Sequence, residues 1–406
     1  METEAVKKNK GDYSMVAKTI FGLEDVLAHE LMKLGAKDIE KHTRAVSFTG
    51  DKGFMYKANI CLRTALCILK PIKKFIAENE QQLYNEVQKI NWEEYLKLTD
   101  TLSVDCSLNT DNFNHTLYVA QKVKDAIVDQ YRAKYNKRPS VDREHPSLKI
   151  NVHIYRNECT VSIDSSGELL YKRGYRDKIN LAPINEVLAA GLVLLSGWNK
   201  YSTLIDPMCG SGTIVIEAAL IANNIPPGYF RDEFGFQRWS DFDQELYDTI
   251  YNSCIEKIND NKVNILGADI SPHVIKKAKG NVKLAKVDDV VKLVNSSIQD
   301  LEVPEGNGVV IMNPPYGERM DKDDDILGLY KTIGDTLKKK FNGYDVWIIS
   351  SNMDALKQIG LRASRKIAVF NGSLECKFMK YEMYQGTKRV HKLEPGYQKG
   401  KKESLE

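Results

Sequence analysis

Two short stretches concentrate residue types that can do chemistry. Asp206-Pro207-Met208-Cys209-Gly210-Ser211-Gly212-Thr213 sets two glycines behind an acid, where an apolar strand gives way to a helical run. Glycine lets the backbone come close to a ligand, and the start of a helix offers unpaired N–H groups. The loop has neither the G-x-G-x-x-G spacing of a nicotinamide site nor the Gly-Lys-Ser/Thr of a phosphate loop. Further on, a buried run at Gly308–Met312 ends in Asn313-Pro314-Pro315-Tyr316-Gly317. Proline removes backbone donors, so the Asn313 side chain and the Pro314 carbonyl present acceptors, while Tyr316 offers a flat face. This combination suits a planar substrate that carries an amino group; the other reading is a stiff turn over a buried tyrosine.

Between the two stretches, Gly267-Ala268-Asp269 puts an acid at the end of an apolar strand. A carboxylate there can accept both hydroxyls of a ribose, or it can cap the helix that starts near Ser271-Pro272. Cys209 is no nucleophile in this scheme, because methylation at carbon needs a thiolate facing the substrate and the Asn313–Gly317 loop has no cysteine. The seven cysteines are scattered and never form a C-x-x-C pair, which disfavours a disulfide framework and a metal site. Reduced, mostly buried thiols are the expectation.

These residues need a scaffold that aligns strand ends. From Ile184, a helix through Trp198 leads into short apolar strands alternating with helices: Thr203–Ile205, Thr213–Asn223, Asn264–Asp269, Pro272–Leu284, Val291–Asn295, Val309–Asn313, Ile326–Lys340, Asp345–Ser350, Ala355–Ile359, Lys366–Phe370 and Lys377–Tyr384. Alternation of this kind predicts a doubly wound parallel sheet, and Asn371-Gly372 predicts a closing antiparallel hairpin. Residues 225–239 interrupt the pattern and either wall the pocket or pack over the sheet edge.

The front half reads as α+β. A strand at Met15–Thr19, a helix Leu23–Leu34 stopped by Gly35, a strand near Arg44–Phe48 and a helix Phe54–Ile68 come first. A second module follows, with strands at Leu102–Leu108, Leu148–Tyr155 and Glu158–Ile163 and a helix Leu117–Tyr135. With 406 residues, 42% hydrophobic and 28% charged, the chain has ample core for two or three domains. No run approaches the ~18–20 apolar residues of a membrane helix, and the start is polar, so a cytoplasmic protein without membrane contact is expected. The net charge of +3 does not by itself identify a polyanionic partner.

Together the Asp206–Thr213 loop, Asp269 and the Asn313–Gly317 loop resemble the motifs of class I S-adenosylmethionine-dependent methyltransferases acting on exocyclic or amide nitrogens. More narrowly, the chain resembles the THUMP-domain RNA methyltransferases that form N2-methylguanosine in large-subunit (23S) ribosomal RNA. Supporting stretches include residues 19–27, Leu62-Arg63-Thr64-Ala65, Arg138-Pro139-Ser140-Val141-Asp142, Asp164-Ser165-Ser166-Gly167 and Lys172-Arg173-Gly174-Tyr175-Arg176. The resemblance implies a flexible residue 1–12 segment, a ferredoxin-like segment at 13–55 and a THUMP RNA-binding domain at 56–165. A linker at 166–183, a Rossmann-like methyltransferase domain at 184–385 and a flexible basic tail at 386–406 complete the expectation.

By the same resemblance, residues 206–213 with Asp269, Ile270 and Asn313 hold S-adenosylmethionine, and Asn313, Pro314 and Tyr316 position the target amine. The acid expected at the adenine falls on Ser297, with Asp300 competing for the role. Lys134, Lys137, Arg138 and Arg143, and a second group of Lys172, Arg173, Arg176 and Lys178, are candidate phosphate contacts or solvated charged faces. Arg173 and Arg176 have a further reading as braces between the halves. No metal is expected, and a single methyltransferase activity is. The alternatives are methylation of tRNA or of adenine N6, or an RNA-binding assembly factor with a vestigial cofactor site.

Overall fold

The computed structural model describes residues 11–176, 184–317 and 325–384. The expectations for both chain ends, for Lys178 and for the last part of the linker lie outside those residues.

Two sheets organise the chain. The first is built from β1 (Tyr13–Lys18), α1 (Glu24–Leu34), β2 (Lys37–His42), β3 (Ala45–Gly50), α2 (Lys52–Cys61), β4 (Cys67–Ile76), α3 (Glu80–Gln88), β5 (Thr101–Asn109), α4 (Thr116–Tyr135), β6 (Ser140–Val141), β7 (Leu148–Tyr155) and β8 (Glu158–Asp164). Its strand order is β2-β3-β1-β4-β8-β7-β5-β6. Antiparallel pairing of β4 with β8 therefore fuses the two front modules into one sheet.

One expected helix is corrected here. The helix foreseen over Phe54–Ile68 ends at Cys61, and Cys67 opens β4. An apolar run of this length does not distinguish helix from buried strand. What ends the helix is Glu30 of α1, whose carboxylate accepts the N–H groups of Arg63 at 2.9 Å and Thr64 at 3.0 Å. Those donors are then lost to helical carbonyls, and Leu62 turns extended. Strand β2 and helix α3 also escaped the sequence reading: β2 exposes five of its six residues, so it has no alternation to betray it.

The second half of the chain runs through α5 (Glu186–Leu195), β9 (Thr203–Asp206), α6 (Thr213–Ala222), α7 (Gln244–Ile255), β10 (Ile265–Asp269), α8 (Pro272–Leu284), β11 (Val291–Asn295), β12 (Gly308–Met312), α9 (Ile326–Lys340), β13 (Tyr344–Ser350), α10 (Met353–Gln358), β14 (Arg365–Asn371) and β15 (Leu374–Glu382). Its strands form the second sheet, while α7 packs on α2 and the core of the first. The order β11-β10-β9-β12-β13-β15-β14 is parallel except for β15, which runs antiparallel to both neighbours as the Asn371-Gly372 hairpin requires. The chain leaves β9 toward β10 on one side and returns to β12 on the other, so a crevice opens at the carboxyl ends of β9, β10 and β12. Helix α6 is buried along its whole length, and so is β12.

The halves are tied together by particular contacts. A Cβ on Gly22 would lie 2.2 Å from the Ala368 carbonyl oxygen of β14, so only glycine allows this approach, and its φ of +91° needs glycine as well. Phe21 meets Phe370 edge-on at 5.6 Å beside it. Residues 225–239 divide between the cores: Ile225, Tyr229 and Phe230 stay with the second, while Phe234, Phe236 and Trp239 join the core of the first. Tyr56 of α2 stacks on Phe236 with centroids 4.3 Å apart, and the Phe236 N–H donates to the Ser165 carbonyl at 2.9 Å. This segment thus crosses to the front sheet instead of walling the crevice. Among the described residues no helix is long and apolar enough to cross a membrane.

Candidate active site

The glycine loop begins where β9 ends. Asp206 is buried, and its carboxylate accepts the Met208 N–H at 3.1 Å. Burial pushes its pKa up to about 8, with the nearby charge of Asp269 adding to the effect. Gly210 and Gly212 adopt left-handed φ of +53° and +84°, and Gly212 starts α6. A Cβ on Gly210 would meet nothing within 4 Å, so the loop's outer side is open. Cys209 is only 6% exposed, and burial pushes its thiol pKa up, which suits an inert wall residue. Thr213, expected among the cofactor residues, is buried, and its hydroxyl accepts from the Arg176 guanidinium.

Asp269 caps the helix, as its position allowed, and also reaches the glycine loop. One carboxylate oxygen accepts the Ser271 N–H at 2.9 Å at the start of α8, and the other accepts the Gly210 N–H at 3.2 Å across to the glycine loop. Each oxygen keeps a second lone pair. Ile270 next to it is 74% exposed, an apolar side chain standing free at the strand tip. Asn295, which the sequence reading missed, donates from its side-chain nitrogen to the carbonyls of Asp269 and Ile270, both at 2.9 Å. Its only sequence signal is an amide at the end of β11. Ser297 donates to Asp300 at 2.6 Å and accepts the Asp300 N–H at 3.1 Å, so the two candidates for the adenine form one turn.

At the tip of β12, the Tyr316 hydroxyl donates to the Asn313 side-chain oxygen. Burial raises the Tyr316 pKa strongly, so the phenol stays protonated. The loop is held from below by residues that the sequence reading did not single out. Tyr330 donates to the Pro315 carbonyl at 3.1 Å, and Asn352 donates to the Tyr316 carbonyl at 3.0 Å while capping α10. Because β12 pairs directly with β9, the Asn313 loop and the glycine loop leave adjacent strands.

The basic residues separate into two sets. Lys137, Arg138 and Arg143 are exposed and have no ion pair among the described residues. Lys134 is exposed but paired with Glu93 at 2.7 Å, and Lys172 with Glu168 at 2.9 Å. Arg173 lies where its bracing reading puts it: 1% exposed, it donates to the Arg63 and Leu170 carbonyls and pairs with Glu217 at 3.4 Å. Arg176 likewise turns inward, to Glu186 at 3.1 Å and to Thr213. Both are braces. Arg63 completes the joint, donating to the carbonyls of Leu220 at 3.2 Å and Ile225 at 2.7 Å on the other half.

Comparison with known proteins divides the chain into three matched segments. Residues 14–69 match the RlmL ferredoxin-like domain, residues 77–164 the THUMP domain, and residues 173–380 the RMKL-like methyltransferase domain. The chain is 39% identical over 364 residues to slr0064 of Synechocystis sp., provisionally named an RNA methyltransferase, covering 89% of this chain and 95% of that protein. It is 37% identical over 373 residues to ribosomal RNA large subunit methyltransferase K/L of Syntrophotalea carbinolica, covering 89% of this chain and 52% of the relative. The chain thus spans about half the length of that K/L relative. Among solved structures, SMU.472, a provisional methyltransferase complexed with S-adenosylhomocysteine, superposes with a TM-score of 0.83 at 31% identity over 93% of this chain and all of that one. A Listeria monocytogenes protein provisionally named an N6-adenine-specific DNA methylase gives 0.80 at 31% identity, covering 92% and 96%.

Proposed function

The chain belongs to the RMKL-like methyltransferase family, whose donor is S-adenosylmethionine, and from that premise we propose that it methylates the exocyclic N2 of a guanine in large-subunit ribosomal RNA. The observation that carries the reading is the Asn313 side-chain oxygen, held by Tyr316 at the tip of β12, one strand from the open glycine loop.

The residues present fit the donor. The open side of Gly210, the free lone pairs of Asp269 and the exposed Ile270 form a cradle with a polar floor and an apolar wall. Asp206, Pro207, Met208, Gly210, Ser211 and Asp269 would hold it. S-adenosylmethionine supplies a methyl group on a sulfonium, an electrophile that asks for no covalent bond to the enzyme.

The chain's task is then to orient the nucleophile. An exocyclic amine on guanine is nearly planar because its lone pair is delocalised into the ring. Acceptors at Asn313 and Pro314 hold its two N–H bonds and favour a pyramidal nitrogen with its lone pair free, so most of the rate gain is orientation and electrostatics. The Tyr316 hydroxyl occupies one lone pair of the Asn313 oxygen and fixes the carboxamide, leaving the second lone pair for substrate. The base must leave its stack to reach this loop, and the ring of Tyr316 would replace part of that stacking. Lys137, Arg138 and Arg143 supply phosphate contacts on the front unit.

Adenine N6 offers the same amine to the same acceptors, and the name of the Listeria relative keeps that reading in view. The THUMP match favours RNA and the K/L relatives favour the ribosome. Nucleoside mass spectrometry of ribosomal RNA from cells lacking this protein decides: one missing N2-methylguanosine is expected. Loss of N6-methyladenosine with N2-methylguanosine intact would replace the proposal.

A further inference from the structure

Helix α8 carries charge for which the protein itself has no use. Within Pro272–Leu284 it has four lysines, Lys276, Lys277, Lys279 and Lys283, and no acidic residue. All four are exposed, and among the described residues none has an ion pair. Some lysines on other helices are answered locally, Lys134 by Glu93, Lys338 by Asp335 and Lys357 by Asp354. Others, such as Lys33, Lys331 and Lys339, are not among the described residues, but α8 is the helix that gathers four lysines with no acid among them. The helix dipole does not explain the set either. Cations are favoured in the last turn, which accounts for Lys283 alone, whereas Lys276 and Lys277 lie in the first half.

Gly280 sits in the middle of this face. At helical spacing its surface neighbours are Lys276, Lys277, Lys283 and Leu284, three or four residues away. A glycine inside a helix is destabilising, and this one makes no internal contact that requires it, because a Cβ there would meet nothing within 4 Å. The result is a shallow notch in a ring of ammonium groups, with Leu284 53% exposed at its rim.

The same helix supports the cofactor loop from its opposite face. Asn281 donates to the Ser211 carbonyl at 2.9 Å, and a Cβ on Gly212 would lie 3.5 Å from that of Ala278. Just past the helix, the Lys286 ammonium lies 5.3 Å from the Tyr229 ring centroid, on the segment that crosses to the front sheet.

We propose that the lysine face of α8 around Gly280 is a docking surface for the phosphate backbone of structured RNA, a second grip located on the methyltransferase unit beside the cofactor loop. It rests on the reading of the substrate as RNA. Each ammonium replaces a counterion on the RNA and the notch lets the backbone approach the helix closely, so binding through this face depends on charge and not on base sequence.

The test uses the full chain and a transcript of a large-subunit ribosomal RNA domain, with binding measured by fluorescence anisotropy across a salt series. A variant combining K276Q, K277Q, K279Q and K283Q is expected to bind the transcript at least tenfold more weakly at 0.1 M salt. The slope of log affinity against log salt should become shallower by about 3, following the loss of four phosphate contacts. Its affinity for S-adenosylmethionine and its melting temperature should match those of the unsubstituted protein. Gly280→Gln should weaken RNA binding while raising the melting temperature, a combination that a structural role for the glycine would not produce. An unchanged salt slope in the fourfold variant overturns the surface and leaves the RNA reading standing. An unsubstituted protein that neither binds nor methylates the transcript overturns the RNA reading and the surface with it.

Discussion

The hydroxyl of Tyr316 donates to the side-chain oxygen of Asn313, three residues back across the two prolines. The contact closes the loop on itself and sets the direction of the carboxamide before any substrate arrives. Asn371 approaches the same hydroxyl at 3.5 Å from the end of β14, so the final hairpin reaches the loop too. Asn313→Ala should abolish methyl transfer while leaving cofactor affinity within a few-fold. Tyr316→Phe, which removes one hydrogen bond worth about 1 kcal/mol, should lower kcat by about 3–10-fold with a similar cofactor affinity. Single-turnover kinetics with calorimetry separates the two effects; undiminished turnover in Asn313→Ala would refute the role assigned to the carboxamide.

Asp269 joins two loops, so its loss should act on the cofactor. Asp269→Ala frees the Gly210 N–H and the Ser271 N–H together. We expect S-adenosylmethionine affinity to fall by at least tenfold, with α8 somewhat less stable at its start. Calorimetry showing equal affinity in the variant would rule out contact with the donor.

Asp206 makes the apo protein sensitive to pH. Its folded pKa of about 8 lies above the ordinary carboxylate value, because burial penalises the charge. The native state therefore binds this proton more tightly than the unfolded chain does. The stabilisation is fully present below about pH 4 and is lost as pH rises through 8. Asp206→Asn should raise the melting temperature relative to the unsubstituted protein more at pH 8 than at pH 5. A cationic donor favours the ionised form, so its affinity should climb between pH 6 and pH 8 in the unsubstituted protein. A pH-independent difference between the two proteins would contradict this assignment.

The joint between the halves rests on a buried ion pair. Glu217 receives the Arg173 guanidinium at 3.4 Å and the Tyr175 hydroxyl at 2.9 Å, with Glu217 wholly buried. Breaking such a pair from one side leaves an uncompensated charge and typically costs about 3–5 kcal/mol. Glu217→Gln should show that loss in chemical denaturation, and replacing Arg173 and Glu217 together by apolar residues of similar size should cost less than either change alone. Additive costs would argue against a coupled pair.

Deleting the front unit is not a clean test of its RNA role. Phe234, Phe236 and Trp239 would lose the core they share with α2 and the first sheet, so removing residues 1–165 should yield an aggregating protein. Point changes do better. Replacing Lys137, Arg138 and Arg143 by glutamine should weaken RNA binding across sequences and flatten the salt dependence by about 0.7–0.9 per residue, with cofactor affinity unchanged. An identical salt series would exclude these residues from the interface.

Much of this molecule is written in local pattern. The apolar runs that become β9, β10, β12 and β13, the glycines at 210 and 212, and the Asn371-Gly372 hairpin all follow from short-range rules of burial and backbone freedom, which need no knowledge of distant residues. The placement of Asp269 opposite the glycine loop follows as well, since a doubly wound sheet brings successive strand ends together.

Other features depend on partners far away in the chain. The helix begun at Lys52 ends where it does because Glu30 takes the next two N–H groups, and nothing between 54 and 68 announces that. Arg173 has the composition of a phosphate contact and the environment of an interior strut, because a carboxylate 44 residues away and a carbonyl 110 residues away converge on it. Residues 234–239 belong by connectivity to one unit and by packing to the other. Side-chain type limits what a residue can do, but burial and distant hydrogen-bond partners choose among those possibilities, and these exist only once the chain has folded.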